Sequence, residues 1–401
     1  MNIKKNSIAL HHQLNGKIEI KSKCQIRSQD DLSLIYTPGV AEVCREIIAF
    51  PEKVYDLTIK KNTIAIITDG SAVLGLGNIG PQAALPVMEG KAVLFKEYAD
   101  INAFPICLNT QNTHEIIAII KNIMPVFAGI NLEDIAAPRC FEIEQSLQEI
   151  GIPVFHDDQH GTAIVLLAAL KNAAILAGKN LKDLKVVING AGAAGIAIAE
   201  LLRCVNYDAD VCESIKELII CDSRGIVSSS REDIKLLTDN HPKKKLTKIS
   251  NQKNITGSLA DAIVGADVFI GVSKGNLLTE PMVRSMASKS IIFALANPDP
   301  EIDPILAKKA GAFIIGTGRS DFANQINNAL VFPGIFRGAL DARALKITNR
   351  MKWAAAHALA DSVKGLHVDH ILPAVLDKEY VENIASAVAR AYIDEYKTAE
   401  V

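Results

Sequence analysis

The chain has 401 residues, a length that suits two domains, with 49% hydrophobic, 22% charged and 5% aromatic residues. That composition belongs to a globular protein with a large apolar core and excludes intrinsic disorder. With 43 Lys and Arg against 45 Asp and Glu, the net charge of −2 excludes bulk electrostatic capture of nucleic acid.

The opening MNIKKNSIALHHQ holds only the short apolar run Ile8, Ala9, Leu10 before paired histidines, too little for a secretory leader. From residue 62 onward, short apolar runs alternate with helical stretches: NTIAIITDG, PQAALPVMEGKAVLFKEYA, FPICLNT, THEIIAIIKNIMPVF and AGINLEDI. This alternation predicts a parallel α/β layer. HDDQHG then reads as a turn that opens a helix of about twenty residues, with Thr162 near its start and Gly178 closing it. That helix is the most apolar segment, but Lys171 and Asn172 interrupt it and it is short for a membrane span, so no membrane partner is expected.

A second α/β series runs from LKVVINGAGAAG to AFIIGTGRS, and after residue 340 the chain reads as helices. The fold class is therefore α/β, with an N-terminal α/β substrate and catalytic domain over 1–161. A Rossmann-type dinucleotide domain with C-terminal helices follows over 162–401. The basic run HPKKKLTK (241–248) reads as a solvated loop, a phosphate-binding role being the other reading. The seven cysteines are scattered, odd in number and never spaced C-x-x-C. Neither a disulfide framework nor a thiolate zinc site is expected, and the setting reads as cytoplasmic and reducing.

G-x-G-x-x-G occurs twice. Gly190-Ala-Gly192-Ala193-Ala194-Gly195 follows the apolar run KVVIN and opens a helix of small residues, the pattern that carries a pyrophosphate. Asp222 ends the next apolar run, ELIIC, where a carboxylate meets the adenosine ribose. The separation is longer than usual, and NYDADVCES is the inserted material. The earlier match, Gly75-Leu-Gly77-Asn-Ile-Gly80, precedes a helix burdened by Pro81, Pro86 and Gly90, with Pro86 expected to kink it. It reads as a wall of the substrate pocket.

His156 and His160 mimic a zinc-protease spacing, but the intervening Asp157 and the following Gly161 argue against one. Glu133-Asp134 and Asp157-Asp158 each follow an apolar stretch that looks like a strand end. Carboxylates gathered there suit Mg²⁺ or Mn²⁺, helix caps and solvated turns being the alternative.

Together, YTPGVAEVCREI, TDGSAVLGLGNIG, PVMEGKAVLF, INLEDI, PVFHDDQHGTA, NGAGAAG, ALANPDPEI and GRSDFANQINNALVFPGIFRGALD resemble, in order, the motifs of malic enzymes. The likeness is closest to the short bacterial branch without a phosphotransacetylase-like extension, and runs from about Tyr36 to Asp341. The resemblance implies Tyr36 as general acid, Lys91 as general base, and Glu133, Asp134 and Asp158 as metal ligands, with Asp157 beside them. It implies Asn297 and Asn328 at the malate and nicotinamide, and Thr162 with the Gly190–Gly195 loop at the cofactor. One departure stands out. Larger eukaryotic-type members carry a carboxylate-gripping arginine where this chain reads Ser71-Ala72-Val73, so amides near Gly75 and Gly77, with Asn328, take that task.

The implied activity is metal-dependent oxidative decarboxylation of L-malate to pyruvate and CO2 with reduction of NAD(P)⁺, and with oxaloacetate decarboxylation beside it. Asp222 favours NAD⁺, Arg224 partly offsets this and leaves NADP⁺ open, and a homodimer or homotetramer is expected. The rival readings are an amino-acid-dehydrogenase type of enzyme, which has no need of three carboxylates, and a silent nucleotide sensor, which has no need of Tyr36 and Lys91.

Overall fold

The computed structural model describes residues 3–73, 75–207 and 211–397. Leu74 of the first glycine loop and part of the NYDADVCES insertion lie outside the described residues. The first sheet consists of β1 (Thr63–Thr68), β2 (Asn102–Cys107), β3 (Gly129–Leu132) and β4 (Val154–His156), in the order β2-β1-β3-β4 and parallel throughout. β1, β3 and β4 are buried along their whole length, which is why they read as unbroken apolar runs rather than alternating ones.

The second sheet consists of β5 (Lys185–Asn189), β6 (Glu217–Asp222), β7 (Gly225–Ile226), β8 (Val268–Gly271), β9 (Ile291–Ala294) and β10 (Ile314–Thr317). Its order is β10-β9-β8-β5-β6-β7, and only the short edge strand β7 runs antiparallel. Strand order reverses between β5 and β8, so a crevice opens outside their carboxyl ends.

One helix, Asp157–Ala177, carries the chain from the first sheet to the second. Its buried residues join Ile64, Ile66 and Phe155 of the first sheet to Val186, Ile188 and Ile270 of the second in one core. It is long and apolar enough to cross a bilayer, yet most of it is buried inside the fold. Gly178 closes it in the left-handed conformation, as the sequence indicates.

Four local expectations are corrected. The helix begins at Asp157 and not after Gly161. Two aspartates in its first turn complement the helix dipole, and the glycine that reads as a breaker serves the packing of Asp157. The helix Gly80–Ala99 continues past Pro86, because Met88, Lys91, Ala92, Phe95 and Ala99 bury one face and packing outweighs the lost backbone bond. The basic run is not a loop: Pro242–Ile249 is a helix with Pro at its first position and Leu246 buried. Finally, Cys204 and Cys212 form a disulfide that closes the insertion, a proximity that spacing along the chain does not reveal.

Before Lys60, no described residue is buried. The helices Ile3–Leu14, Gln29–Ile35 and Val40–Ala49 expose Ile8, Leu14, Leu34 and Ile48 among other large apolar side chains. The rest of the fold is tied more tightly. Buried Asn172 donates from Nδ2 to the carbonyls of Ala360 and Ile371, both at 2.9 Å, and so binds the central helix to the C-terminal helices. Asn172→Ala removes both bonds, the Ala360 carbonyl keeping a long one from the Val363 amide, and is expected to cost about 2 kcal/mol, measured by denaturant unfolding.

Candidate active site

The register of the first sheet assembles the acidic residues. Leu132 of β3 pairs with His156 of β4, so the next residues, Glu133-Asp134 and Asp157-Asp158, leave adjacent strand ends side by side. Glu133, Asp134 and Asp158 each present one oxygen within 4.8 Å of the others, the only such His, Cys, Asp or Glu group among the described residues. Asp134 holds a left-handed φ of +53°, and its amide donates to Asp158 Oδ2 at 2.9 Å. Asn131 Nδ2 donates to Glu133 Oε2 at 3.1 Å and steadies it.

Lys91 enters from the Gly80–Ala99 helix and is buried. Its ammonium donates to Glu133 Oε2 at 2.6 Å and to Asp157 Oδ2, and lies 4.3 Å from the centre of the Phe332 ring. Asn328 donates to the same Asp157 oxygen at 2.5 Å. Gly161 makes room for this arrangement: a Cβ there would stand 1.9 Å from Asp157 Oδ1. Burial alone would lower the lysine's pKa, but the charges of Asp157 and Glu133 outweigh it and raise the pKa. Burial raises Glu133 and Asp157. Burial together with Asp158 pushes Asp134 up to about 7.

Like charges in this density call for a cation. Asp134 Oδ2 is buried without a hydrogen-bond partner, and an orphaned carboxylate oxygen in this cluster fits a divalent ion held by Glu133, Asp134 and Asp158. His156 and His160 face different partners, and the buried Nε2 of His156, 3.6 Å from Asp158 Oδ2, has no hydrogen-bond partner. His160 Nε2 lies 2.9 Å from Glu144 Oε1, and His156 Nδ1 lies 2.9 Å from Gln159 Nε2.

The first glycine loop reaches across to the second sheet. Gly75, at a φ of +73°, approaches the Asn297 carbonyl so closely that a Cβ would lie 2.8 Å from it. Asn297 is exposed in the turn after β9, which buried Glu301 braces by accepting from the amides of Ala296 and Ser273. The structure therefore sets this loop against the Asn297 turn. In the second loop, Gly190 (φ +135°) abuts the Val272 carbonyl and Gly195 abuts Gly190, so neither admits a side chain. Around Gly192 there is open space, and the helix Ala193–Leu202 begins with no side-chain cap, which leaves its first amides for an anion. Thr162 is half-buried in the second turn of the central helix.

Two of the expected site residues have surroundings that the sequence does not indicate. Tyr36 terminates the helix Gln29–Ile35, is 67% exposed, and its hydroxyl makes no hydrogen bond among the described residues. Asp222 is engaged with Arg231 and Lys243. Sequence reasoning missed roles for Asn131, Gly161, Arg231 and Glu301; of these only Arg231 lies outside the motifs it singled out.

A nucleotide crevice joined to a buried acid–base centre defines a dinucleotide-linked oxidoreductase with two domains. Comparison with known proteins narrows the class. The profile of the malic enzyme N-terminal domain matches residues 15–148, and that of the malic enzyme NAD-binding domain matches residues 159–393. The bifunctional malic/malolactic enzyme of Bacillus subtilis is 53% identical over 98% of this chain and 94% of its own length. The NAD-dependent malic enzyme of Geobacillus stearothermophilus is 51% identical over 98% of this chain and 79% of its own. A crystal structure of the NAD-dependent malic enzyme of Thermotoga maritima superposes with a TM-score of 0.90 at 47% identity, covering 96% of this chain and 98% of that one. The chain belongs to the malic enzyme family, NAD(P)-dependent oxidoreductases that decarboxylate malate oxidatively.

Two outcomes follow from the geometry. Gly161→Ala is expected to displace Asp157 from Lys91 and Asn328 and to lower turnover at least about tenfold while the helix stays folded, read by steady-state kinetics beside circular dichroism. The raised pKa of Asp134 means that a proton competes with the cation below about pH 7. Mn²⁺ affinity is therefore expected to rise up to about tenfold per unit on approaching that pH and to level off above it. Calorimetric titration checks this, and a flat profile would remove Asp134 from the ligand set.

Proposed function

We propose that the chain catalyses metal-dependent oxidative decarboxylation of L-malate to pyruvate and CO2, with Mg²⁺ or Mn²⁺ at Glu133, Asp134 and Asp158, and that it also decarboxylates oxaloacetate. The observation that carries the proposal is the buried contact of Lys91 with Glu133 and Asp157, one ammonium set among carboxylates that share a site. The substrate domain is 1–161 and the dinucleotide domain 162–401, with the reaction in the crevice between them.

When bound, the divalent ion supplies positive charge that acidifies the C2 hydroxyl and stabilises the enolate, and the dinucleotide at the Gly190–Gly195 loop accepts the hydride. The residues do the rest. Lys91 accepts the C2 hydroxyl proton, for which it must first be neutral. The carboxylates that now hold it protonated lose that hold as their own charge is compensated. Asp157 keeps the lysine in place, Asn328 fixes Asp157 and faces the substrate, and Asn297 lies at the nicotinamide end. After CO2 leaves, the phenol of Tyr36 protonates C3 of enolpyruvate, and Lys91 returns its proton to the phenol.

An exposed Tyr36 needs a partner to do this. The apolar N-terminal face, on which no described residue before Lys60 is buried, suits a second copy of the chain. The active form proposed is a homodimer in which this face is covered and Tyr36 serves Lys91 of the partner subunit.

A spectrophotometric assay with malate, Mn²⁺ and NAD⁺ or NADP⁺ tests the reading. Lys91→Ala is expected to lower kcat by about 10²–10⁴-fold with nucleotide binding retained, and near-normal turnover would take Lys91 out of the role. Mixed and reassociated with inactive Lys91→Ala chains, Tyr36→Phe chains are expected to restore up to about a quarter of the activity, through dimers with one intact site. No recovery in a verified mixed dimer would place Tyr36 with Lys91 of its own chain.

A further inference from the structure

A cavity of about 110 Å³ lies where the central helix meets the helices Ala193–Leu202 and Asn349–Asp361. That is several times the space one ordered water needs. None of the residues assigned above to metal, malate or dinucleotide lines it.

Two side chains of opposite charge face this space, Lys352 and Glu200, and the fold does not pair them. The Lys352 ammonium has three hydrogens to donate. Among the described residues its hydrogen bonding is confined to the His160 ring, with Nδ1 at 3.3 Å. The other ring nitrogen, Nε2, is taken by Glu144 Oε1 at 2.9 Å. No carboxylate forms an ion pair with Lys352, and the Glu200 carboxylate makes neither hydrogen bond nor ion pair, among the described residues. Lys60 shows how this fold otherwise treats an inward-facing amine: its Nζ donates to the carbonyls of Met124, Pro125 and Phe127 at 3.1, 2.9 and 2.6 Å. Burial pushes Lys352 down and Glu200 up, and the attraction of the nearby opposite charges offsets this only in part.

Opposite charges left uncompensated around one small cavity are complementary to a molecule that carries both signs itself. An α-amino acid does so with a single carbon between its ammonium and its carboxylate. The remaining lining includes Ala163, Ile164, Ala197 and Leu201, which suits a short apolar side chain. We infer that this cavity binds a free α-amino acid of about the size of alanine, its carboxylate on Lys352 and its ammonium on Glu200. The inference is independent of the decarboxylation chemistry.

The test is a titration of the full chain, followed by ligand-observed NMR, with L-alanine and with propionate and ethylamine, each of which keeps one of alanine's two charges. Alanine is expected to bind at least about tenfold more tightly than either. Glu200→Gln is expected to weaken alanine about tenfold while changing propionate less than about threefold, whereas Lys352→Gln is expected to weaken both. Unfolding curves check that the variants fold, and Lys352→Arg, which keeps the charge, is expected to retain most of the alanine affinity. Propionate binding as tightly as alanine overturns the amino-acid reading, because the ammonium then has no partner. Unchanged alanine affinity in either folded glutamine variant overturns the placement on Lys352 and Glu200. No alanine binding to the folded wild-type chain overturns the site and leaves a cavity for water.

Discussion

Lys91 is buried against Glu133 and Asp157, with Asp134 and Asp158 close behind, and the electrostatics of that group constrain much of the surrounding fold. Removing several carboxylates from water is tolerable only where positive charge and hydrogen bonds compensate for the loss of hydration. One ammonium does not suffice. The raised pKa values of Glu133, Asp134 and Asp157 are the sign of that shortfall, and the orphaned oxygen of Asp134 lies in the cluster that the proposed cation would share. The same shortfall gives Lys91 its two conditions. It is held charged by Asp157 and Glu133, and in the mechanism proposed above it becomes neutral only when a bound cation compensates those carboxylates.

The architecture keeps this group in place by rigid means. Adjacent parallel strands set the spacing of the two acidic pairs, and the central helix begins at Asp157 itself, so the second pair sits in its first turn. Lys91 comes from a helix whose apolar face is locked against Phe332 and Phe336 through Phe95. Asn328 closes the set from a segment more than 160 residues further along the chain. Because the central helix also packs under the second sheet, a change in how the two sheets sit would be felt at Asp157. The nucleotide crevice and the acid–base centre are thereby coupled through one element.

Much of the fold is legible in the sequence because its strands are fully buried and bounded by clear turn residues. The acidic pairs were found by the same logic, since each follows an apolar strand. What misled the reading was local punctuation. Gly161 looks like a helix breaker, yet its missing side chain is needed by Asp157, and Pro86 looks like a kink, yet packing on both sides holds the helix through it. The basic run looks solvated because charge dominates its composition, although Pro242 and Leu246 mark a helix start and a buried face.

The sequence by itself determined the two α/β series, the glycine loops, the candidate acids and base, and the resemblance that names the family, because these depend on near neighbours in the chain. Tertiary structure alone decided which groups meet. Strand register placed Glu133 beside Asp157, the return of the chain after β6 set Arg231 and Lys243 on Asp222, and the unburied N-terminal segment left Tyr36 facing outward. The opening balance of −2 carries none of this, since a sum over the chain has no positions in it, and chemistry at a buried site is set by a handful of charges and the distances between them.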